Sequence, residues 1–283
     1  MRETEINKII EQALREDSSK EDITTNILIP RNSISQAVIV AKERGIVCGI
    51  PIAKKIFQKL DRRAQFRFFC KDGDVVSANT KIFSVTAKTR AILTGERTAL
   101  NFLTHLCGIA TTTALFVKTI YPFKTKIMDT RKTTPGLRCL EKYAVCCGGG
   151  VSHRFNLSEM ILIKDNHKVA CKRKMPLQEA IEYAKKRTRK TIEVEVGNLK
   201  EFQEALEAHP HIILLDNMDI KEIKRAVMFS KALSPKMRPL LEASGRVNIK
   251  NVRAVARTGV DRISIGALTH SRKSVDISLE LVS

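Results

Sequence analysis

Apolar positions along the first half of the chain change their period twice. Ile6, Ile9, Ile10 and Leu14 recur at helical spacing within residues 4–16, which predicts a short amphipathic helix. From about residue 25 to 90 the pattern becomes β-rich. ISQAVIVAKERGIVCGI, AQFRFFCKDGDVV and KIFSVTAKTRAIL are punctuated by Gly and Asp-Gly turns and interrupted by a helix near 51–61. These features predict a small α+β domain. Residues 96–120, ERTALNFLTHLCGIATTTALFVKTI, then read as one long helical region.

The second half follows another design. Short apolar runs occur at 126–130 (KIMDT), 160–165 (MILIKD), 191–196 (TIEVEV), 211–216 (HIILLD), 239–244 (PLLEAS) and 262–267 (RISIGA). Helical patterns at 177–187, 199–208, 219–230 and 248–257 separate several of them. Alternation of this length implies an α/β fold with a parallel sheet and right-handed crossovers. Six strands suit an (α/β) barrel that is incomplete or has one poorly marked strand.

Polar residues fall in a particular place in that pattern. Asp129-Thr130-Arg131-Lys132, Lys164-Asp165-Asn166-His167, Glu195, Asp216-Asn217, Ser244-Gly245 and Ser264/Gly266 lie at or just beyond strand C-terminal ends. A barrel gathers those ends on one rim, where barrel chemistry occurs. One charged strand end is unremarkable, because strands must leave the core somewhere. Six in succession mark a site.

Composition narrows what that site meets. The 283 residues suffice for two domains or one large barrel with an extension. Lys and Arg exceed Asp and Glu by 50 to 30, a net charge of +20 that attracts anions of any size. Nucleic acid is disfavoured as a specific partner: there is no tryptophan, aromatics are 5%, and no RNP-like or helix-turn-helix signature occurs. The clusters CKRK at 171–174 and KKRTRK at 185–190 read as solvated faces and loops.

Seven cysteines, an odd number without a C-x-x-C, read as reduced thiols, mostly core fillers, and zinc-ligand spacing is absent. No uninterrupted apolar run approaches the ~20 residues of a membrane span. The N-terminus MRETEINKIIEQALRED lacks the apolar core of a signal peptide. A cytoplasmic protein with no membrane partner is expected.

Four cations, Arg131, Lys132, Arg154 and Lys164, dominate the expected rim. Arginine grips carboxylate or phosphate with paired hydrogen bonds, and lysine supplies a point charge. Two carboxylates, Glu195 and Asp216, sit among them and would repel an anionic ligand unless a divalent cation intervened. Mg²⁺ held through one or two carboxylates and ligand phosphates meets that requirement. Ser244-Gly245 and Ser264-Ile265-Gly266-Ala267 offer backbone N–H groups to a phosphate. His153 and His167 read either as site helpers or as packed polar residues, and His105 as structural. The glycine run 148–150 permits unusual backbone angles between elements.

The run DTRKTTPGLRCLEKYAVCCGGGVSHR at 129–154 resembles the quinolinate phosphoribosyltransferase family. It is followed by LIKDNH, VEV, LLDN, EASG and ISIGALTHS, and ERTALNFLTHLCGIAT and DITT belong to the same pattern. The resemblance runs in order through nearly the whole chain. It implies an N-terminal open-faced α/β sandwich over residues 1–109, with the tail 268–283 packed on it, and a barrel of fewer than eight strands over 110–267. It also implies that quinolinate and phosphoribosyl pyrophosphate give nicotinate mononucleotide, pyrophosphate and CO2, with Mg²⁺ as cofactor.

Family members pair head to tail, so a homodimer, or a higher oligomer built from dimers with shared active sites, is expected. By the same pattern Arg97 reaches across to quinolinate, while Arg131, Arg154 and Lys164 surround its carboxylates with His153 and Thr130 beside them. Lys132 faces phosphates or the developing charge. Glu195 and Asp216 approach the ribose hydroxyls and Mg²⁺, and Ser244, Gly245, Arg246, Ile265, Gly266 and Ala267 line the 5′-phosphate site. Lys132, Glu195 and Asp216 are the expected catalytic set.

Four positions depart from the family pattern: Glu21 and Arg246 stand where Gly is usual, Ser152 where Asn is, and Asn156 where Gly is. None removes a charged group from the expected site. Two rival readings differ in kind. A relative using nicotinate, with one carboxylate, would leave a cation desolvated and unpaired. A basic nucleic-acid-binding protein gives no reason for Glu195 and Asp216 on a basic rim.

Overall fold

The computed structural model describes residues 3–170, 175–271 and 273–282; the CKRK cluster at 171–174 lies outside them. In chain order the first elements are α1 (Glu3–Glu16), α2 (Ile23–Leu28), β1 (Ile34–Ala41), β2 (Gly45–Ile46) and α3 (Ile50–Leu60). Then come β3 (Gln65–Phe68), β4 (Val75–Val76), β5 (Lys81–Lys88) and α4 (Thr89–Thr119). The next are β6 (Lys126–Met128), α5 (Arg138–Cys147), β7 (Ile161–Ile163), α6 (Asp165–Ala170), α7 (Leu177–Lys185) and β8 (Ile192–Val196). The last are α8 (Leu199–Glu207), β9 (Ile212–Asp216), α9 (Ile220–Lys231), β10 (Leu240–Ser244), α10 (Val252–Arg257), β11 (Arg262–Ser264), α11 (Ala267–His270) and β12 (Ile277–Val282).

The chain divides into two compact units. Unit 1 comprises Met1–Ala114, Thr133–Gly149 and Leu268–Ser283, and unit 2 comprises Leu115–Lys132 and Gly150–Ala267. Residues 133–149 fall inside the span read from sequence as barrel, yet they cluster with unit 1.

Unit 1 holds an antiparallel sheet ordered β12-β1-β5-β3 and a small β2-β4 ribbon. The alternation expected of strands places Ala37, Ile39 and Ala41 of β1 on one fully buried face. α3 contributes Ile52, Ala53, Ile56 and Phe57, and α1 contributes Ile6, Ile10 and Leu14. Each large side chain buried this way stabilises the fold by roughly 1.5–3 kcal/mol. The DITT stretch has a structural explanation: Asp22 caps α2 by accepting from Thr25 N (2.9 Å) and also accepts from Thr94 Oγ1 (2.9 Å).

α4 begins at Thr89, seven residues before the helical reading starts, because Ile92 and Leu93 extend an apolar run that looks like strand. Its length and average composition would let it cross a membrane, although no uninterrupted apolar run does so. Half of its apolar stretch is buried, including Ile92, Leu103, Leu106 and Ile109, so it serves unit 1 as a core helix.

Unit 2 is built on a six-stranded parallel sheet ordered β6-β11-β10-β9-β8-β7, with β6 and β7 at its two edges. All six runs read as strands are strands. The strand registers sort their side chains by face. One face carries Ile127, Ile161, Ile163, Ile192, Val194, Val196, Ile213, Leu215, Leu241, Ala243 and Ile263, wholly apolar. The other is mixed: Glu193, Glu195, Asp216, Glu242, Ser244, Arg262, Ser264 and Lys126 share it with Met128, Leu162, Ile212, Leu214 and Leu240. An apolar face suits packing under crossover helices, so the mixed face lines the inside of an open barrel. The capping box of α9 (Asp219 with Glu222) and the Asn198 cap of α8 start two of those helices.

Candidate active site

Because all six strands of unit 2 run parallel, their carboxyl ends share one rim. β9 and β10 are in register there, Asp216 opposite Ser244. Glu195, on β8, pairs in register with Leu214, so its side chain shares a face with Asp216 two residues along.

Glu195 is half-buried, and Lys164 Nζ lies 3.4 Å from its Oε2. Burial raises the Glu195 pKa above the ordinary carboxylate value; Lys164 opposes the rise, while Asp216 and Asp165 reinforce it. Two neighbouring carboxylates, one of them desolvated, form an oxygen donor set that suits a hard divalent cation.

The cations gather on the same rim. Burial lowers the Arg154 pKa, the nearby Arg131 guanidinium lowers it further, and Glu193 opposes both. A guanidinium close enough to disfavour the charge of Arg154 calls for an anion between the two. Arg154 Nη1 donates to the Met160 carbonyl (3.2 Å), which fixes one end of its fork. Thr130 Oγ1 accepts from Lys132 N (3.0 Å), shaping the turn that carries Arg131. Lys132 itself is exposed.

Beneath Arg154 lies a cluster that the sequence reading missed. His153 Nε2 is 3.1 Å from Glu193 Oε2 and 3.4 Å from Glu242 Oε1, and both glutamates are fully buried. These are close ion pairs rather than aligned hydrogen bonds, since no carboxylate oxygen of either glutamate has an aligned donor. Asp129, also fully buried, positions the histidine by accepting from His153 N (2.8 Å).

Burial alone would lower the His153 pKa, but Glu193 and Glu242 outweigh it and raise it to about 9. In the protonated ring Nδ1 no longer accepts from Arg154 N, which lies 2.7 Å away; the two carboxylates exceed that loss. Desolvation raises the Glu193 pKa, Glu242 adds to it, and His153 opposes it. The available signal was the period of two: Glu193 alternates with the recognised Glu195 and therefore faces the same interior.

The phosphate segments are tightly constrained. Gly245 has φ +84°, and a Cβ there would lie 2.2 Å from Asn217 Oδ1. Asn217 N in turn donates to the Ser244 carbonyl (2.9 Å), lacing the ends of β9 and β10 together. Arg246 has φ +43°, which gives the reason glycine is usual at this position. Its side chain is exposed. The buried Ile265 commits its N–H to the Met128 carbonyl (3.0 Å), so any backbone contact to phosphate from that segment falls to Gly266 and Ala267.

Other expected residues fall elsewhere. Arg97 is exposed on α4 in unit 1, and makes no hydrogen bond or ion pair among the described residues. His167 Nδ1 accepts from Lys164 N (3.0 Å), a local turn contact. His105 Nε2 lies 2.9 Å from Glu141 Oε1 within unit 1, a structural pair as read. Asn156 does not adopt a left-handed backbone; its Oδ1 accepts from Ser158 N (2.9 Å) and Oγ (2.7 Å). Glu21 ends a short 3-10 turn, and Ser152 is exposed.

Comparison with known proteins matches nearly the whole chain. Residues 22–107 match the quinolinate phosphoribosyl transferase N-terminal domain, and residues 109–280 match the C-terminal domain. The nicotinate-nucleotide pyrophosphorylase [carboxylating] of Mycobacterium leprae is 38% identical over 275 residues, 96% of this chain and 95% of that protein. The solved nicotinate-nucleotide pyrophosphorylase from Francisella tularensis superposes with a TM-score of 0.91 at 37% identity, covering 100% of this chain and 98% of the other. That from Ehrlichia chaffeensis gives 0.90 at 41% identity, covering 98% of each.

Proposed function

This chain belongs to the quinolinate phosphoribosyltransferase family, and on that premise we propose that it converts quinolinate and phosphoribosyl pyrophosphate to nicotinate mononucleotide, pyrophosphate and CO2. This is a phosphoribosyl transfer and decarboxylation in de novo NAD biosynthesis, carried out in the cytoplasm. The observation that supports the reading most is the approach of Arg131 to Arg154 on a rim that also holds the Lys164–Glu195 pair. Paired guanidinium groups suit a ligand with two adjacent carboxylates better than one with a single carboxylate.

In this reading Arg131, Arg154 and Lys164 bind the diacid, with His153 and Thr130 beside them. Lys132 meets the phosphates or the charge that develops at the reacting carbon. Glu195 and Asp216 face the ribose, where displacement of pyrophosphate passes through an oxocarbenium-like state that carboxylates stabilise. Ser244, Gly245, Arg246, Gly266 and Ala267 receive the 5′-phosphate. Mg²⁺ held by Glu195 and Asp216, directly or through water, would neutralise the departing pyrophosphate. Ribosylation makes the ring nitrogen positive and able to accept the electrons that CO2 leaves behind, so transfer precedes decarboxylation.

Arg97 completes the site from a second copy in a head-to-tail homodimer. Its exposure and its lack of a partner among the described residues of its own chain favour that role. The deciding experiment supplies purified protein with phosphoribosyl pyrophosphate, Mg²⁺ and either quinolinate or nicotinate. Nicotinate mononucleotide should form from quinolinate with release of CO2. Equal or better turnover of nicotinate would defeat the assignment.

A further inference from the structure

Unit 1 holds a second concentration of reactive groups. Cys48 directly precedes Gly49, the N-cap of α3; Cys147 ends α5; Asp72 lies in the turn closed by Asp74 N and the Lys71 carbonyl. They are 24 and 75 positions apart in sequence, which is why no metal-ligand spacing was visible. In the fold Cys48 Sγ, Cys147 Sγ and a carboxylate oxygen of Asp72 all lie within 4.8 Å of one another.

The surroundings hold these groups in place. Asp72 accepts from Gly49 N (3.0 Å), Ile50 N (3.1 Å) and Tyr143 Oη (2.7 Å). The nearby Cys107 thiol is occupied by the Cys48 backbone, accepting from Cys48 N (3.1 Å) and donating to the Cys48 carbonyl (3.3 Å). The Cys48 thiol therefore faces Cys147. Cys48 is fully buried, while Cys147 and Asp72 are half-buried, so the cluster has both a fixed floor and an opening.

We infer that Cys48, Cys147 and Asp72 form a binding site for one thiophilic divalent cation of the Zn²⁺ class, with the fourth position open to water on the Cys147 side. Zinc–sulfur bonds of about 2.3 Å and zinc–oxygen bonds of about 2.0–2.2 Å in a tetrahedron bring ligand atoms to roughly 3.5–3.8 Å apart. Closing the present spread takes movements of about 1 Å or less shared among three side chains. Hydrogen bonds from Gly49, Ile50 and Tyr143 to Asp72 are the kind of outer support that orients a ligating carboxylate.

Hydrogen bonds from Cys48 and then Tyr143 hold the Cys147 thiol below its usual pKa, against burial and the Asp72 charge. Two sulfur atoms and a carboxylate oxygen converging in one half-buried recess form a donor set that suits a thiophilic cation. The hydrogen bond to Cys147 and burial push the Cys48 thiol up. Thiol ligands bind a metal as thiolates, so binding releases protons and strengthens as pH rises.

The test titrates the reduced, metal-free protein with Cd²⁺ and follows the thiolate-to-cadmium charge-transfer absorption, with Zn²⁺ as competitor. One equivalent should saturate the band, and Zn²⁺ should displace it. Cys147→Ser should abolish the band, while Cys146→Ser and Cys70→Ser should retain it. Tyr143→Phe, which removes only outer support, should weaken binding about tenfold. Because Cys48 is buried and its replacement can disturb folding, Asp72→Asn provides the second ligand test; its single amide oxygen accepts from only one of Gly49 N and Ile50 N, so a melting curve confirms folding, and cation affinity should fall at least tenfold. Absence of a saturable band in the wild type overturns the inference, as does a band that survives Cys147→Ser or is lost in Cys146→Ser.

Discussion

His153 and Glu193 are locked together inside the barrel, Nε2 to Oε2 at 3.1 Å, with Glu242 completing the clamp at 3.4 Å. The folded-state pKa of His153, about 9, lies above its ordinary 6.5. Its contribution to stability is therefore complete below pH 6.5 and disappears as pH rises towards 9. A shift of that size corresponds to about 3 kcal/mol at most. The His153 imidazole resonance should titrate near 9 by NMR, and nearer 6.5 in Glu242→Gln. A wild-type midpoint at the ordinary value would show that the clamp does not hold a proton.

Substrate recognition by the paired arginines gives a second expectation. Arg131→Ala and Arg154→Ala should each lower kcat/KM for quinolinate by about 10- to 100-fold, as loss of charge-assisted hydrogen bonds demands. Arg154→Lys should recover only part of the loss, because an ammonium cannot reproduce a planar fork. Steady-state kinetics with quinolinate varied at saturating phosphoribosyl pyrophosphate reads both effects.

A third expectation concerns the carboxylate pair. Chelation should abolish turnover and added Mg²⁺ should restore it. Glu195→Gln and Asp216→Asn should each cut kcat by about 100-fold or more, since shape is kept while charge is lost. The raised pKa of Glu195 keeps it protonated to a higher pH than an ordinary carboxylate, so activity should climb with pH in a range above 4.5. A wild-type rate indifferent to chelation would remove the metal from the reaction.

If Arg97 serves a neighbouring chain, two inactive variants should rescue each other. Mixing Arg97→Ala with Lys132→Ala should regenerate part of the activity in hybrid dimers. Failure to recover activity despite demonstrated subunit exchange would return Arg97 to its own chain or remove it from the site.

The Ser244–Arg246 turn makes a stability prediction in both directions. Gly245→Ala meets a positive φ and a 2.2 Å approach to Asn217, and should cost about 2–4 kcal/mol. Arg246→Gly relieves a left-handed arginine, offset by the greater freedom of glycine in the unfolded chain, for a net gain of about 0.5 kcal/mol. Chemical denaturation resolves the first effect easily and sets a bound on the second.

Much of unit 2 was legible because parallel strands buried on one face leave short apolar runs, and because barrel chemistry collects at their ends. Glu193 and Glu242 escaped notice since each interrupts an apolar run in mid-strand, where a buried carboxylate is not expected. The period of two that exposed Glu195 carried Glu193 as well. α5 was obscured because its buried face includes Glu141 and Lys142 beside Leu140 and Val145, which blurs the apolar spacing. The meeting of Cys48, Asp72 and Cys147 is invisible in sequence because three separate segments create it.

The C-terminal strand β12 occupies the edge of β1, pairing Gln36 with Val282 through Ala41 with Ile277. β1 thus waits for a strand that the chain order places far behind it. Until β12 docks, β1 presents a row of unsatisfied amides and carbonyls beside the apolar Val38 and Val40, a template for pairing between nascent chains. Deleting residues 277–282 should therefore yield insoluble protein even though no proposed active-site residue is lost.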